Sequence, residues 1–274
     1  MGTLTDYPFF AGKRPRIIGH RGAAGEAPEN TLVSFHRALQ QGTGLIELDV
    51  QDTRDGNAVI IHDCTLDRTT NGQGPLNARS LNEIKALDAG YAFSMDDGQS
   101  FPYRGRSIQV PTLEEFLIAF PDAKAIIEIK RESPNIVRAV IDTIHRLGKG
   151  DQVLLASEAD SILTDIRQTL TGLGLRIATG FSYGDVAEFL SHIATDTLGD
   201  YRPSGQALQV PCEYEGTSIV NATTVDAAHR LNLEMFVWTI NDVDEMNRLL
   251  ALGVDGIITD YPSRLAPLVK TINR

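Results

Sequence analysis

Cysteine is scarce in this chain: Cys64 and Cys212 are its only two in 274 residues. That excludes a disulfide-built scaffold and leaves one bridge at most. Two free, buried thiols in a reducing compartment are the favoured reading. No apolar run reaches the ~18 residues of a membrane span, so no stable membrane insertion is expected. The opening MGTLTDYPFFAGKRPR lacks a basic start followed by an apolar stretch, which argues against a secretory leader and for a cytoplasmic protein. Positive charge is also short. Lys and Arg number 25 against 36 Asp and Glu, a formal net charge of −11. That excludes nucleic acid and anionic membranes as general partners. An anionic substrate would need a local patch of positive charge. No internal repeat or low-complexity tract is present.

What is present suits one α/β domain spanning 1–274. Hydrophobic residues make up 42% and charged residues 22%, enough apolar material for a full core. Short β-branched runs fall at 16–20, 45–50, 58–62, 124–130, 152–156, 175–180, 207–210, 234–239 and 256–260. Segments of helical period lie at 30–41, 112–120, 134–148, 159–171, 183–194, 223–231 and 242–252. Asn30-Thr31 and Asn241-Asp242 offer caps, Pro134 suits a first turn, and Gly148, Gly172 and Gly253 mark helix stops. The alternation implies a parallel sheet, and its length implies a closed TIM-like (β/α)8 barrel. Nine candidate strands compete for eight places, with 207–210 the weakest. Only QDTRDGN separates the second and third, too short for a helix, so that return is extended with a turn at Asp55-Gly56. Residues 65–110 break the rhythm. They read as an irregular insertion after the third strand, helical only near 80–88.

Polar residues collect at strand ends, where βα-barrel enzymes place their chemistry. His20 and Arg21 end the first strand, Glu47 and Asp49 the second, His62 and Asp63 the third, and Glu128 and Lys130 the fourth. Glu47 and Asp49 are two apart and so share one face, as do Glu128 and Lys130. Three carboxylates at the top of an apolar core favour a divalent cation over a salt-bridge network alone. Oxygen ligands suit Mg²⁺, Ca²⁺ or Mn²⁺ rather than zinc. His36, His145, His192 and His229 read as ordinary helix residues. His20 and His62, each between an apolar run and a loop, suit proton transfer near neutral pH. Arg21 can clamp a phosphoryl oxyanion with its fork, oriented by Glu29, and Lys130 adds a point charge. Trp238 either packs the rim or lines a leaving-group pocket. Asp260 is given a structural role.

These residues carry a resemblance. His20-Arg21-Gly22 followed by Pro28-Glu29-Asn30-Thr31, then Glu47-Leu48-Asp49-Val50, then His62-Asp63 with Thr65-Leu66-Asp67-Arg68-Thr69-Thr70-Asn71-Gly72, is similar to the glycerophosphodiester phosphodiesterase pattern. Pro111-Thr112-Leu113, Glu128-Ile129-Lys130, Val237-Trp238-Thr239-Ile240-Asn241 and Gly256-Ile257-Ile258-Thr259-Asp260 continue it, from about 16 to 262. The resemblance implies a TIM-like barrel with a small insertion. It implies His20 and His62 as the acid–base pair, Glu47, Asp49 and Glu128 around one divalent cation, and Arg21 and Lys130 on the phosphate. The implied reaction splits a small-molecule glycerophosphodiester into glycerol 3-phosphate and an alcohol.

Two alternatives stand beside that reading. A lysophospholipase D would use the same chemistry on lysophospholipids, with Tyr91, Phe93, Phe101 and Tyr103 of the insertion overhanging the site and governing substrate choice. A non-catalytic binding barrel would need a lost histidine or carboxylate, and none is lost.

Overall fold

The computed structural model describes residues 4–131, 133 and 135–272. Pro134, expected in a first helical turn, lies outside them. The strands are β1 (Arg16–His20), β2 (Leu45–Asp52), β3 (Ala58–Ile60), β4 (Lys124–Ile129), β5 (Val153–Ala156), β6 (Ala178–Thr179), β7 (Ala207–Pro211), β8 (Glu213–Tyr214), β9 (Thr217–Ser218), β10 (Glu234–Trp238) and β11 (Gly256–Thr259). The helices are α1 (Leu32–Gln40), α2 (Leu81–Lys85), α3 (Leu113–Ala119), α4 (Ile136–Arg146), α5 (Asp160–Leu173), α6 (Tyr183–Ala194), α7 (Ala222–Arg230), α8 (Val243–Leu252) and α9 (Pro262–Ile272).

Eight of these strands pair in parallel in the order β6-β5-β4-β2-β1-β11-β10-β7. A parallel bridge between Gly180 and Ala207 brings the two ends together. The result is a nearly closed TIM-type barrel. The surplus strand is β3, which pairs antiparallel with β2 through Val50–Ile60, Gln51–Val59 and Asp52–Ala58. The expectation that 58–62 is a barrel strand is therefore corrected. A parallel neighbour needs a crossover of a dozen or so residues, and the short link through Gly56, whose φ is 78°, permits only a hairpin. Conversely, the weak run at 207–210 is a full barrel strand along β10.

Period-two alternation sorts the strand residues into two cores. Ile46, Leu48 and Val50 of β2 and Ala125, Ile127 and Ile129 of β4 face outward, against the helical layer. Ile18, Leu45, Ile126, Leu154, Phe236 and Ile258 fill the barrel itself. Phe9 and Phe10, edge to face at 5.0 Å, pack beneath them and close the N-terminal end. Lys124 locks that plug by donating to the carbonyls of Phe9 and Ala11 at 2.8 and 2.7 Å. The insertion has a small core of its own around Leu66, Leu76, Ile84 and Val110.

Helix limits follow local chemistry. Thr31 caps α1 by accepting from the Ser34 amide, and Asp242 caps α8 through the Glu245 amide. Gly172 does not stop α5, as its position had suggested. The helix runs to Leu173, and Gly174 takes the left-handed cap at φ 64°. The helix α9 has no counterpart among the expected segments, because Pro267 inside it masks the period. Both cysteines are free, but Cys64 is exposed, not buried.

One charged cluster sits in the lower barrel. Glu234 is fully buried, accepts from Arg16 at 2.6 and 2.8 Å and forms an ion pair with Arg14 at 2.9 Å. Removing the carboxylate would leave the buried Arg16 guanidinium short of its partner. Glu234→Ala is expected to lower the unfolding free energy by about 3 kcal/mol in urea titration while leaving the upper rim intact. A loss of a few tenths would show that the pair is not structural.

Candidate active site

Alternation that sends apolar residues into the middle of the barrel sends polar ones to its C-terminal rim. His20 and Glu47 are register partners on β1 and β2, and Asp49 and Glu128 are partners on β2 and β4. Ligand oxygens of Glu47, Asp49 and Glu128 all lie within 4.8 Å of one another. Around them a cavity of about 170 Å³ is lined by His20, Arg21, His62, Lys130, Gln209 and Trp238, among others. The structure thus gathers around one cavity every residue expected to take part in catalysis, substrate binding or metal ligation, with Glu29 behind Arg21. His62 reaches the cavity from the segment after β3, not from a barrel strand. The described residues lining the cavity include none from 65–110. The insertion's aromatics are engaged elsewhere: Phe93 meets Tyr103 edge-on at 5.4 Å, and Arg104 lies over Tyr91 and Phe101.

The carboxylates are crowded. Burial, then the neighbouring Asp49 charge, pushes Glu47 up to about 8. Burial pushes Glu128 up to about 7, although Lys130 pulls the other way. Lys130 Nζ lies 2.9 Å from Glu128 Oε1 and 3.7 Å from Asp49 Oδ1. Arg21 sends Nη1 to Glu29 Oε1 at 2.8 Å, and its Nε stands 3.1 Å from Asp49 Oδ2. That Nε is buried yet has no aligned hydrogen-bond partner. The Arg21 amide donates to Glu47 Oε2 at 3.1 Å, an approach that depends on the left-handed turn at Arg21, φ 49°. The Asn30 amide holds Asp49 at 2.8 Å. Two cations cannot neutralise this many buried oxygens while Glu29 also draws on Arg21. The donor set is oxygen alone, so a hard divalent cation fits it.

Both rim histidines are held at Nδ1 by a carboxylate. His20 Nδ1 is 2.7 Å from Asp260 Oδ1, and its Nε2 is 4.0 Å from Glu47 Oε2. Burial alone would lower the His20 pKa, but the Asp260 hydrogen bond and the Glu47 charge outweigh it and raise it above the ordinary value. Asp260 is in turn fixed by Asn241 at 2.6 Å. His62 Nδ1 is 2.7 Å from Asp63 Oδ1. Arg68 and His62 hold Asp63 down to about 2. Arg68 spans Asp63 and Glu29, at 2.7 and 2.6 Å, so the insertion ties the His62 side of the rim to the Arg21 side. The supports missed from sequence are Asn241, Asp63 as a partner, and Arg68, while Asp260, read as structural, holds His20. Asp63 and Asp260 carried a signal, since each sits where a strand segment gives out. Arg68 carried none outside the motif.

A family model described as "Glycerophosphoryl diester phosphodiesterase family" matches residues 20–264. A glycerophosphodiester phosphodiesterase of Caldanaerobacter subterraneus subsp. tengcongensis is 33% identical over 93% of this chain and 97% of its own. The solved structure of an Oleispira antarctica phosphodiesterase in complex with the product sn-glycerol-3-phosphate aligns with a TM-score of 0.74 at 27% identity, covering 93% of this chain and 97% of that one. A glycerophosphodiester phosphodiesterase from Agrobacterium tumefaciens aligns with a TM-score of 0.72 at 28% identity, over 92% and 99% of the two chains. The chain belongs to the glycerophosphoryl diester phosphodiesterase family.

The crowding predicts a pH-dependent response to cations. Glu47 and Glu128 titrate above their ordinary 4.5 in the fold, so the folded state holds protons that the unfolded chain has lost. The stability of the metal-free protein therefore falls as pH rises from about 4.5 toward 8. A cation that binds the ionised carboxylates restores most at the alkaline end. Mg²⁺ or Ca²⁺ should raise the melting temperature more at about pH 8 than at about pH 6, and Glu47→Gln should remove the effect. A shift independent of pH would contradict this.

Proposed function

We propose that this protein hydrolyses glycerophosphodiesters to glycerol 3-phosphate and an alcohol, with His20 and His62 as the acid–base pair. The observation that carries the reading is the pairing of each rim histidine, at Nδ1, with its own carboxylate. That fixes both rings and leaves each Nε2 for the substrate. The reading is further supported by membership of the family and by the glycerol 3-phosphate product held by the Oleispira antarctica relative.

Glu47, Asp49 and Glu128 would hold one divalent cation, Mg²⁺, Ca²⁺ or Mn²⁺, which when bound would supply positive charge to a phosphoryl oxygen. The remaining work falls to the chain. Arg21 presents its guanidinium to the phosphodiester, kept in place by Glu29, and Lys130 adds charge on the far side of Asp49. In a chain of net charge −11, the local positive charge an anionic substrate needs would come from Arg21 and Lys130 together with the cation held by the three carboxylates. One histidine takes the proton of the attacking oxygen as its bond to phosphorus forms. The other gives a proton to the departing alcohol oxygen as its bond to phosphorus breaks. Asp260 and Asp63 orient the rings and stabilise whichever is protonated. Trp238 lines the wall where a substrate carbon chain would lie. Cytoplasmic residence, a single domain over 1–274, and independence from nucleic acid and stable membrane insertion complete the proposal.

His20→Ala and His62→Ala are each expected to lower kcat by about 10²–10⁴ with melting temperature and cation binding close to wild type. Their losses should not add in the double variant, because the two act on one displacement. The assay is glycerol 3-phosphate release from glycerophosphocholine. Wild-type kcat in either variant would make that histidine structural. Chelation should abolish the same turnover, and Mg²⁺, Mn²⁺ or Ca²⁺ should restore it. Full activity in protein shown to be free of metal would remove the cation from the reading.

A further inference from the structure

The catalytic cavity opens through a neck into a second cavity of about 300 Å³, and Glu158, Phe181, Gln209 and Trp238 line both. The outer cavity is an apolar trough between the first turns of α6 and the β8–β9 hairpin. Among the described residues lining it, Glu158 is the one that carries a charge. The other rim carboxylates are engaged: Asp49, Glu128, Asp63 and Glu29 each pair with an arginine or a lysine. None of the described residues forms an ion pair with Glu158. Lys130, a cation on which its charge acts, is turned instead to Glu128 and Asp49, at 2.9 and 3.7 Å. The backbone beneath this carboxylate is nonetheless pinned. Ser157 donates its hydroxyl to the Ile129 carbonyl at 2.8 Å, and the Glu158 carbonyl accepts from the Tyr183 amide at 2.9 Å. Glu158 follows Ala156, the register partner of Glu128, so it stands one strand along the rim from the carboxylate cluster. Its charge acts inward on Glu128 and Lys130 and outward on Tyr214. Aromatic rings make up much of the junction. Phe181 is buried, Trp238 is half-buried, and Tyr183 and Tyr214 at the mouth have ring centroids 5.5 Å apart. Elsewhere, arginines already lie over Tyr91, Phe101, Tyr103 and Tyr261. The rings around Glu158 have no such cover among the described residues.

We infer that Glu158, with the rings of Phe181 and Trp238, forms a subsite for an ammonium group on the leaving alcohol, so that the site selects diesters of cationic amino alcohols over uncharged ones. The inference rests on the proposed phosphodiesterase reading and names the alcohol that reading leaves open. Charge alternates along the rim in the order such a substrate carries it. Arg21 and Lys130 present positive charge where the phosphate would sit, and Glu158 presents negative charge one step farther toward the trough. An ammonium group placed there gains the carboxylate and the negative faces of the rings together, and the rings take up its methylene or methyl groups. An uncharged alcohol leaves the Glu158 charge to water and gains the hydrocarbon contact alone. An anionic alcohol is repelled by Glu158 itself. Glu158 touches none of the reacting atoms in this arrangement. It determines specificity and leaves the bond-making and bond-breaking to the groups already described.

The test is release of glycerol 3-phosphate from glycerophosphocholine and from its uncharged isostere, the 3,3-dimethylbutyl diester, in which carbon replaces the choline nitrogen. In the wild type, kcat/KM is expected to be roughly tenfold higher for the choline diester, and the ratio should shrink as salt is added. Glu158→Gln keeps the shape and removes the charge, and should bring the ratio close to one. Glu158→Lys should invert it. The carboxylate is exposed, so both variants are expected to melt near the wild-type temperature. Equal kcat/KM for the two diesters in the wild type would overturn the inference and leave the phosphodiesterase reading standing. Cleavage of neither would remove both. A choline preference that survives in both variants would place the ammonium group elsewhere and overturn the inference. So would a loss in Glu158→Gln shared equally by the two diesters, which would make Glu158 a support for Lys130.

Discussion

Everything on the rim is arranged around the repulsion among Glu47, Asp49 and Glu128. Three carboxylates with oxygens inside 4.8 Å sit on top of a barrel filled with isoleucine, leucine and phenylalanine. Burial raises the cost of each charge, and proximity raises it again. Arg21 and Lys130 offset part of it. The remainder appears as the upward shift of Glu47 and Glu128. A site so unfavourable without a cation is suited to bind one, because ionised carboxylates gain more from a divalent ion than protonated ones. The structure tolerates this strain because its lower half is finished independently: the Phe9–Phe10 plug and the Arg16–Glu234 pair close the N-terminal end without help from the rim.

Around that centre the supports are layered. Asp260 and Asp63 each fix one imidazole, Asn241 fixes Asp260, and Arg68 fixes Asp63 while also gripping Glu29, which grips Arg21. The insertion therefore contributes to the chemistry through one side chain that acts by way of others. Its aromatics, which from sequence looked suited to overhang the substrate, pack on one another and on Arg104. The apolar surface that does adjoin the cavity comes from α6 and the β8–β9 hairpin, on the opposite side of the barrel sequence from the insertion.

Reading the chain in order recovered most of this arrangement, for a definite reason. In a parallel barrel each strand ends at the same rim, so polar residues that close apolar strands are neighbours however far apart in the chain. His20, Glu47, Asp49 and Glu128 were legible on that basis, and spacing by two put Glu47 and Asp49 on one face. Strand count was not legible. The run at 58–62 has the composition of a barrel strand, and only its short link to β2, residues 53–57, shows that it must return antiparallel. At 207–210 the pattern is weak because Gln209 turns inward at the neck of two cavities, where an apolar residue would be usual. The last helix was hidden by Pro267.

The sequence by itself determined the periodicities, and through them the barrel class, the two-faced strands and the collection of charge at one end. It determined the donor types gathered there as well: carboxylate oxygens, imidazoles, a guanidinium and an ammonium. Tertiary structure alone decided which groups touch. The pairing of His20 with Asp260 spans 240 positions, and that of Arg68 with Glu29 spans 39. No local period encodes such contacts, because they arise from ring closure of the sheet and from the path of an irregular insertion. The apolar trough is likewise a product of two elements meeting, since neither α6 nor the β8–β9 hairpin is unusual until each is seen to leave the other uncovered.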